Sequence, residues 1–221
     1  IILPDTSLCA IVRDEIQNPA GGIRRFVESH VPYIEQSVIV DTGSVDGTRE
    51  VLEELQSKYP NLKVFDKMFR GYDDARNFSL EKVRTKRALV LDADELLTHR
   101  RPQNDFWILK EIMEEDPHES YSFYFNTVSL IEGQRSAPDG NNPRLFKISK
   151  RTRYSKKVFE TLRIKPGSGL VREVEIKHFV PDYGALMLKR KNWYDLVESF
   201  GPFLGRSPSN TKGFQQWKEY N

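Results

Sequence analysis

Asp92, Asp94 and Glu95 stand directly after the apolar run Ala88-Leu89-Val90-Leu91. A short apolar run of that kind is what a fully buried parallel strand shows. In an open α/β sheet, ligands bind beyond the carboxyl ends of the strands, which is where these carboxylates would fall. Continued as extended chain, Asp92 and Asp94 would project to the same side, with Ala93 between them. Two carboxylates held that close repel unless a cation sits between them or one takes up a proton. Hard oxygen ligands favour Mg2+ or Mn2+, and such sites also take in substrate phosphates. The chemistry expected of this stretch is a metal that clamps a diphosphate.

The elements that must position it can be read along the chain. Leu8 to Val12 makes a first strand running into Arg13-Asp14-Glu15, and Ser37 to Val40 a second ending in Asp41. Between them, Gly21-Gly22 breaks the chain before Ile23, Phe26 and Val27, spaced as one face of a helix. After Asp41 come Thr42-Gly43-Ser44-Val45-Asp46-Gly47-Thr48 and a helix through Val51, Leu52 and Leu55, with Ser44 the expected N-cap. Such a turn would leave backbone N–H groups and a positive dipole end facing the sheet edge, which suits an anion. Leu62 to Phe65 is a third strand. A loop with Phe69, Arg70 and Gly71 leads to Asp73-Asp74-Ala75-Arg76-Asn77, the opening turn of a helix. Asp73 and Asp74 complement that helix terminus, whereas Arg76 and Asn77 can grip a base, a ribose or a phosphate. Ala88 to Asp94 supplies the fourth strand. This βαβαβαβ rhythm requires right-handed crossovers and a mostly parallel sheet.

Phe106 to Met113 makes a further helix, and after Pro117 the texture changes. Tyr121 to Val128 and Arg144 to Ile148 read as strands separated by a polar, turn-forming stretch, Glu132 to Pro143. Short strands near Val158 and at Val174–Ile176 lead to His178. A helix can run from Ala185 to Val197, and the chain from Gly201 onward is irregular. Trp107 and Trp193 read as core residues.

Composition narrows the function classes. Lys and Arg number 34 against 32 Asp and Glu, a formal net charge of +2. That near-balance argues against a dedicated nucleic-acid binder. With 38% hydrophobic and 11% aromatic residues the chain can build a real core. The single cysteine, Cys9, forms no internal disulfide and reads as a small buried residue, so the expected location is cytoplasmic, free or peripheral to a membrane. No apolar segment approaches the roughly 18 residues needed to cross a bilayer, and no signal peptide is visible. The opening Ile1-Ile2-Leu3-Pro4 lacks a methionine, so native residues are expected ahead of it.

Asp41-Thr42-Gly43-Ser44-Val45-Asp46-Gly47-Thr48, Asp74-Ala75-Arg76-Asn77 and Leu91-Asp92-Ala93-Asp94-Glu95-Leu96, in this order and spacing, resemble the nucleotide-sugar half of GT-A-fold glycosyltransferases of inverting family 2. The similarity is to short bacterial and viral members with "DTGSxDGT", "ARN" and "LDADE" motifs, and it covers Leu8 to Leu97. More loosely, Asn142-Pro143-Arg144-Leu145-Phe146-Lys147 is similar to an "RLF(R/K)" strand and Glu175-Ile176-Lys177-His178 to an "I-x-H" strand. Lys157-Val158-Phe159-Glu160 stands where many members have Val-His-Glu, with Phe159 in place of the histidine. The resemblance implies a GT-A α/β domain, a mostly parallel sheet flanked by helices with an antiparallel extension in the second half. It would occupy residues 1–200, with 1–97 binding the nucleotide sugar, 98–200 facing the acceptor, and 201–221 an irregular tail.

The same resemblance implies roles. Asp41 and Arg13-Asp14-Glu15 would contact the base, Asp41 reading an imide N–H, with Gly43 and Ser44 in the turn beside it. Arg76, with Arg70, Asp74 and Asn77 around it, would approach the nucleotide, a UDP-sugar being favoured. Asp92 would lie near the ribose and share the metal site. Asp94 would coordinate Mn2+ or Mg2+, and His178 would reach the same metal or the β-phosphate. Lys189 and Lys191 would neutralise the leaving diphosphate. Inversion needs one general base against the acceptor hydroxyl, for which Glu160 comes first and Glu95 and Asp139 are reserves. The acceptor is expected to be a glycan, lipid or protein, with no nucleic-acid binding. Competing readings are a nucleotide-sugar-binding module without turnover, and, further behind, an Asp-x-Asp phosphatase or phosphotransferase. The latter would place its aspartates near the first strand and follow them with Gly-Thr.

Overall fold

The computed structural model describes residues 2–18, 22–99, 105–129, 133–138, 143–158 and 160–180. In chain order the first half runs β1 (Leu3–Val12), α1 (Ile23–His30), β2 (Ile34–Asp41), α2 (Thr48–Lys58), β3 (Leu62–Asp66), α3 (Tyr72–Glu81) and β4 (Arg87–Val90). The second half runs β5 (Glu95–His99), α4 (Asp105–Glu115), β6 (Ser120–Ser129), β7 (Gly133–Pro138), β8 (Leu145–Lys147), β9 (Arg153–Ser155), β10 (Thr161–Arg163) and β11 (Ser168–Val180).

Period-2 alternation builds the middle of the sheet. Along β1, Leu8, Ala10 and Val12 join one core and Cys9 the other; along β4, Leu89 joins the first and Ala88 and Val90 the second. The first core takes in Phe26 and Val27 of α1 and Leu52 and Leu55 of α2, the second Leu80 of α3. Helices therefore cover both faces, which is why these strands are continuous apolar runs rather than alternating ones. Cys9 is fully enclosed, and burial pushes its thiol up to about 12.

Strands β3, β2, β1 and β4 lie side by side and parallel, so their carboxyl ends share one edge. The sheet continues in the order β8, β6, β11, β5, with β7 branching from β6. Strand β8 is antiparallel to both β4 and β6, β11 is parallel to β6, and β5 closes the far edge antiparallel to β11. β9 and β10 form a separate antiparallel pair. The chain thus leaves the centre of the sheet at β4 and reappears at its edge as β5.

His30 fixes that long step. Its ring is fully buried, Nδ1 lies 2.7 Å from the Phe26 carbonyl, and the Leu97 N–H donates to Nε2 at 3.1 Å. Accepting at Nε2 leaves the proton on Nδ1, which donates to Phe26. One neutral imidazole therefore ties the end of α1 to β5, and burial lowers it to about 4.

Four local readings change. The polar stretch after β6 contains β7, which pairs with β6 through backbone bonds that its composition does not announce. Val158 sits in the loop between β9 and β10, buried but not in a strand. Trp107 is 52% exposed, because Phe106 and Leu109 take the buried side of α4 and the next residue falls about 100° around the helix. Ser44 does not cap α2: Gly47, at φ 94°, turns the chain so that the helix starts at Thr48, whose N–H donates to Asp46 Oδ1. The expected helix from Ala185, Trp193 and the tail lie outside the described residues.

Candidate active site

Strand β4 stops at Val90. The Leu91 N–H still donates to the Cys9 carbonyl at 3.2 Å, and the Glu95 N–H then donates back to the Asp92 carbonyl at 2.9 Å. Residues 92–95 are therefore a tight turn rather than the extended chain expected, and the two aspartates meet different partners. Asp92 Oδ1 accepts from Arg76 Nη2 at 2.9 Å, and Asp94 Oδ2 lies 3.5 Å from His178 Nε2. Strand β11 delivers that histidine: its register sets His178 opposite Glu95, and the Phe179 N–H donates to the Asp94 carbonyl at 3.0 Å.

Arg76 is the centre of charge. Only 7% exposed, it donates from Nε to Glu160 Oε1 at 2.6 Å as well as to Asp92, and its Nη1 is buried with no hydrogen-bond partner among the described residues. Burial opposes its charge, but Asp92 foremost, with Glu160, holds the guanidinium well above its ordinary pKa. Burial likewise raises Asp92, yet Arg76 and then Arg144 outweigh it and keep that carboxyl below its usual range. Glu95, 2% exposed, accepts from Arg144 with both oxygens, at 3.0 and 3.2 Å, and takes the Asp92 N–H on Oε2 at 2.9 Å. Burial pushes Glu95 up to about 7, against the pull of Arg144. Arg144 had no site role in the sequence reading; its only signal was its place before Leu145-Phe146.

At the ends of β1 and β2 the loops tie each other. Asp41 Oδ1 accepts the Gly43 and Ser44 N–H groups, both at 2.7 Å, while Oδ2 is buried without a hydrogen-bond partner among the described residues. The Asp14 N–H donates to Ser44 Oγ, the Val45 N–H to Asp14 Oδ1, and the Glu15 N–H to Thr48 Oγ1. Of the turn's backbone donors, those of Gly43, Ser44 and Val45 are thus taken by the chain's own carboxylates. Arg13 is exposed, with Nε 3.7 Å from Asp14, and Arg70 is exposed in its loop.

Asn77 and Asp74 sit differently from Arg76. The Asn77 amide pairs with the Tyr154 backbone, donating at 2.9 Å and accepting at 2.8 Å, so it docks β9 against α3. Asp74 pairs with Lys67 at 2.9 Å. Both line a cavity of about 430 Å3 with Lys67, Ser149 and Arg153, to which no residue of the acidic turn contributes. Ala93 is buried inside the turn. Asp139, Lys189 and Lys191 lie outside the described residues.

Among the described residues no three His, Cys, Asp or Glu side chains converge into a ready metal cage. The donor set fits a different kind of site. Mg2+ is usually held by one or two carboxylates, the rest of its shell being water and phosphate oxygens. Adjacent ligands of an octahedral ion with bonds of about 2.1 Å stand roughly 3 Å apart, close to the 3.5 Å between Asp94 and His178. These two residues suit an ion that arrives with a diphosphate.

The sequence pattern of Glycosyl transferase family 2 matches residues 18–166, and the chain belongs to that family. Its α/β architecture is the GT-A type expected. No curated protein matches the chain. Similar solved structures include TarS 1–349 of S. aureus, at 16% identity and a TM-score of 0.46 over 62% of this chain and 39% of that one. The same fragment in complex with UDP-GlcNAc gives 17% and 0.47, over 62% and 37%. The mannosyltransferase PcManGT from Pyrobaculum calidifontis, in complex with GDP-Man and Mn2+, gives 20% and 0.41, over 57% and 36%. The chain spans well under half of each of these. Among the described residues, no helix is long and apolar enough to cross a membrane.

Proposed function

We propose that this chain is a metal-dependent, inverting glycosyltransferase that moves a sugar from a nucleoside-diphosphate sugar, a UDP-sugar being favoured, to an acceptor hydroxyl. One observation carries the reading: two buried polar atoms of opposite kind, Asp41 Oδ2 at the carboxyl end of β2 and Arg76 Nη1 on α3 beside Asp92, stand without hydrogen-bond partners among the described residues. Other described residues, Ser37 and Arg87 among them, also leave a buried polar atom without a hydrogen bond, but these two stand at the sheet edge where an open α/β fold takes its ligand. A nucleotide meets both needs, with an imide N–H for Asp41 and a phosphate or ribose oxygen for Arg76.

Departure of a nucleoside diphosphate builds negative charge on its oxygens, and a bound divalent cation supplies the stabilisation of that charge. Asp94 and His178 are the residues that would hold it, Asp92 contributing charge from beside Arg76. Asp92 and Glu160 are spaced by the guanidinium between them, which orients both carboxylates. Glu160 Oε1 is engaged by Arg76, so Oε2 is the atom that would take the acceptor's proton, on the face opposite the leaving group. Glu95 is enclosed and bonded on both oxygens, a geometry suited to bracing the turn rather than reaching an acceptor.

The test is release of nucleoside diphosphate from a panel of UDP- and GDP-sugars, with and without Mn2+ and candidate acceptors. Mn2+-dependent release that Glu160→Gln reduces by roughly a hundredfold or more is the expected result. Binding of the donor with no release under any acceptor would favour the binding-module reading, which the Arg76 bond to Glu160 would then explain.

A further inference from the structure

We infer that Arg144 is a positioning residue for the acidic turn: through Glu95 it sets the backbone on which Asp92 and Asp94 are carried, and thereby the affinity for the metal–diphosphate end of the donor. This deepens the functional reading above and rests on it. The contacts form one unbroken path. Both Arg144 Nη atoms donate to Glu95, at 3.0 and 3.2 Å, a two-point grip that fixes the plane of the carboxylate. The gripped Oε2 accepts the Asp92 N–H at 2.9 Å, and the Glu95 N–H closes the turn on the Asp92 carbonyl.

The surroundings hold Arg144 in turn. Its own N–H donates to the Tyr121 carbonyl at 3.0 Å and its carbonyl accepts the Val90 N–H at 2.8 Å, so its backbone bridges β6 to the last residue of β4. Its guanidinium stands 5.3 Å from the Phe125 ring, and the same ring lies 5.5 Å from the His178 ring. One arginine therefore braces the aspartate turn from the sheet side, and Phe125 packs between that brace and the histidine facing Asp94. A lysine would keep the charge but not the two-point grip.

Partners that orient a metal-binding carboxylate typically change metal affinity roughly 10- to 100-fold when removed. Titration calorimetry on the full chain with UDP plus Mn2+, and separately with uridine alone, reads the effect where a general loss of structure would not. The expected result is that Arg144→Lys and Arg144→Met weaken UDP with Mn2+ by roughly tenfold or more while uridine, which lacks the diphosphate and draws no metal, loses distinctly less. Glu95→Gln should do the same, and adding Arg144→Met to it should cost little more, because both act on one path. Wild-type protein that binds UDP with Mn2+ while both Arg144 variants bind it equally well overturns the inference alone. Equal weakening of uridine and of UDP with Mn2+ also overturns it, since that is the mark of a damaged fold. Wild-type protein that binds neither UDP nor GDP with Mn2+ removes the functional reading and this inference together.

Discussion

His30 should make the stability of this fold depend on pH between about 4 and 6.5, a range it shares with Glu95, whose burial-raised value of about 7 acts in the opposite sense. The ring is neutral and enclosed, and burial lowers its pKa from 6.5 to about 4. In the unfolded chain it regains the ordinary value, so between these two values the unfolded state binds more protons than the folded one. The stabilisation is complete above pH 6.5 and is lost as pH falls towards 4. Each pKa unit is worth about 1.4 kcal/mol, so the whole window amounts to roughly 3 kcal/mol and the drop from pH 7.5 to pH 5 to about 2 kcal/mol. For a chain of this length the His30 share is a fall of roughly 4–8 °C in Tm, read as the difference between wild type and a variant without the imidazole because Glu95 offsets it. Urea unfolding at pH 7.5 and pH 5 measures it. The control is His30→Gln, which keeps a donor and an acceptor but does not titrate; it should be less stable at pH 7.5 and lack about 2 kcal/mol of the pH dependence. Equal pH dependence in wild type and variant would refute the argument, and with it the claim that a neutral imidazole ties α1 to β5.

Two further substitutions test the site's frame. Arg76→Met leaves Asp92 and Glu160 facing each other without the cation between them, and should destabilise the fold by about 3–5 kcal/mol, read as a shifted urea midpoint. A midpoint within experimental error of wild type would show that the guanidinium does not hold the two carboxylates. Gly71→Ala places a Cβ 2.9 Å from Asp73 Oδ1 and 3.0 Å from Lys157 Cγ at φ 144°, so the loop that donates the Tyr72 N–H to the Lys157 carbonyl must shift. A loss of about 1–3 kcal/mol by thermal unfolding is expected.

How far the sequence carried depends on what each element needs from its neighbours. Strands β1, β2 and β4 announce themselves because a strand buried on both faces must be apolar throughout, as Leu8 to Val12 and Ala88 to Leu91 are. Strands β5 and β7 do not, since their pairing is decided by β11 and β6 and leaves composition nearly free. The acidic turn was legible from three carboxylates after an apolar run. Its geometry was not, because Arg76, Glu160 and Arg144 reach it from other elements. Sequence spacing carries no information about ion pairs such as Arg76 with Glu160, 84 residues apart, or Arg144 with Glu95, 49 apart. The turn at Gly43 and Ser44 shows a related limit of local composition: it reveals a stretch rich in N–H groups, but not that Asp41 and Asp14 accept those of Gly43, Ser44 and Val45.

On the function proposed above, Asp94, faced by His178, seats a divalent cation which joins the chain to a diphosphate. Titration calorimetry of UDP with and without Mn2+, on wild type and on Asp94→Ala, tests it most directly. The expected result is binding that Mn2+ strengthens roughly tenfold or more in wild type and an Asp94→Ala variant in which that gain disappears while the fold is retained. UDP affinity unaffected by Mn2+, or a gain that survives the loss of Asp94, would contradict it.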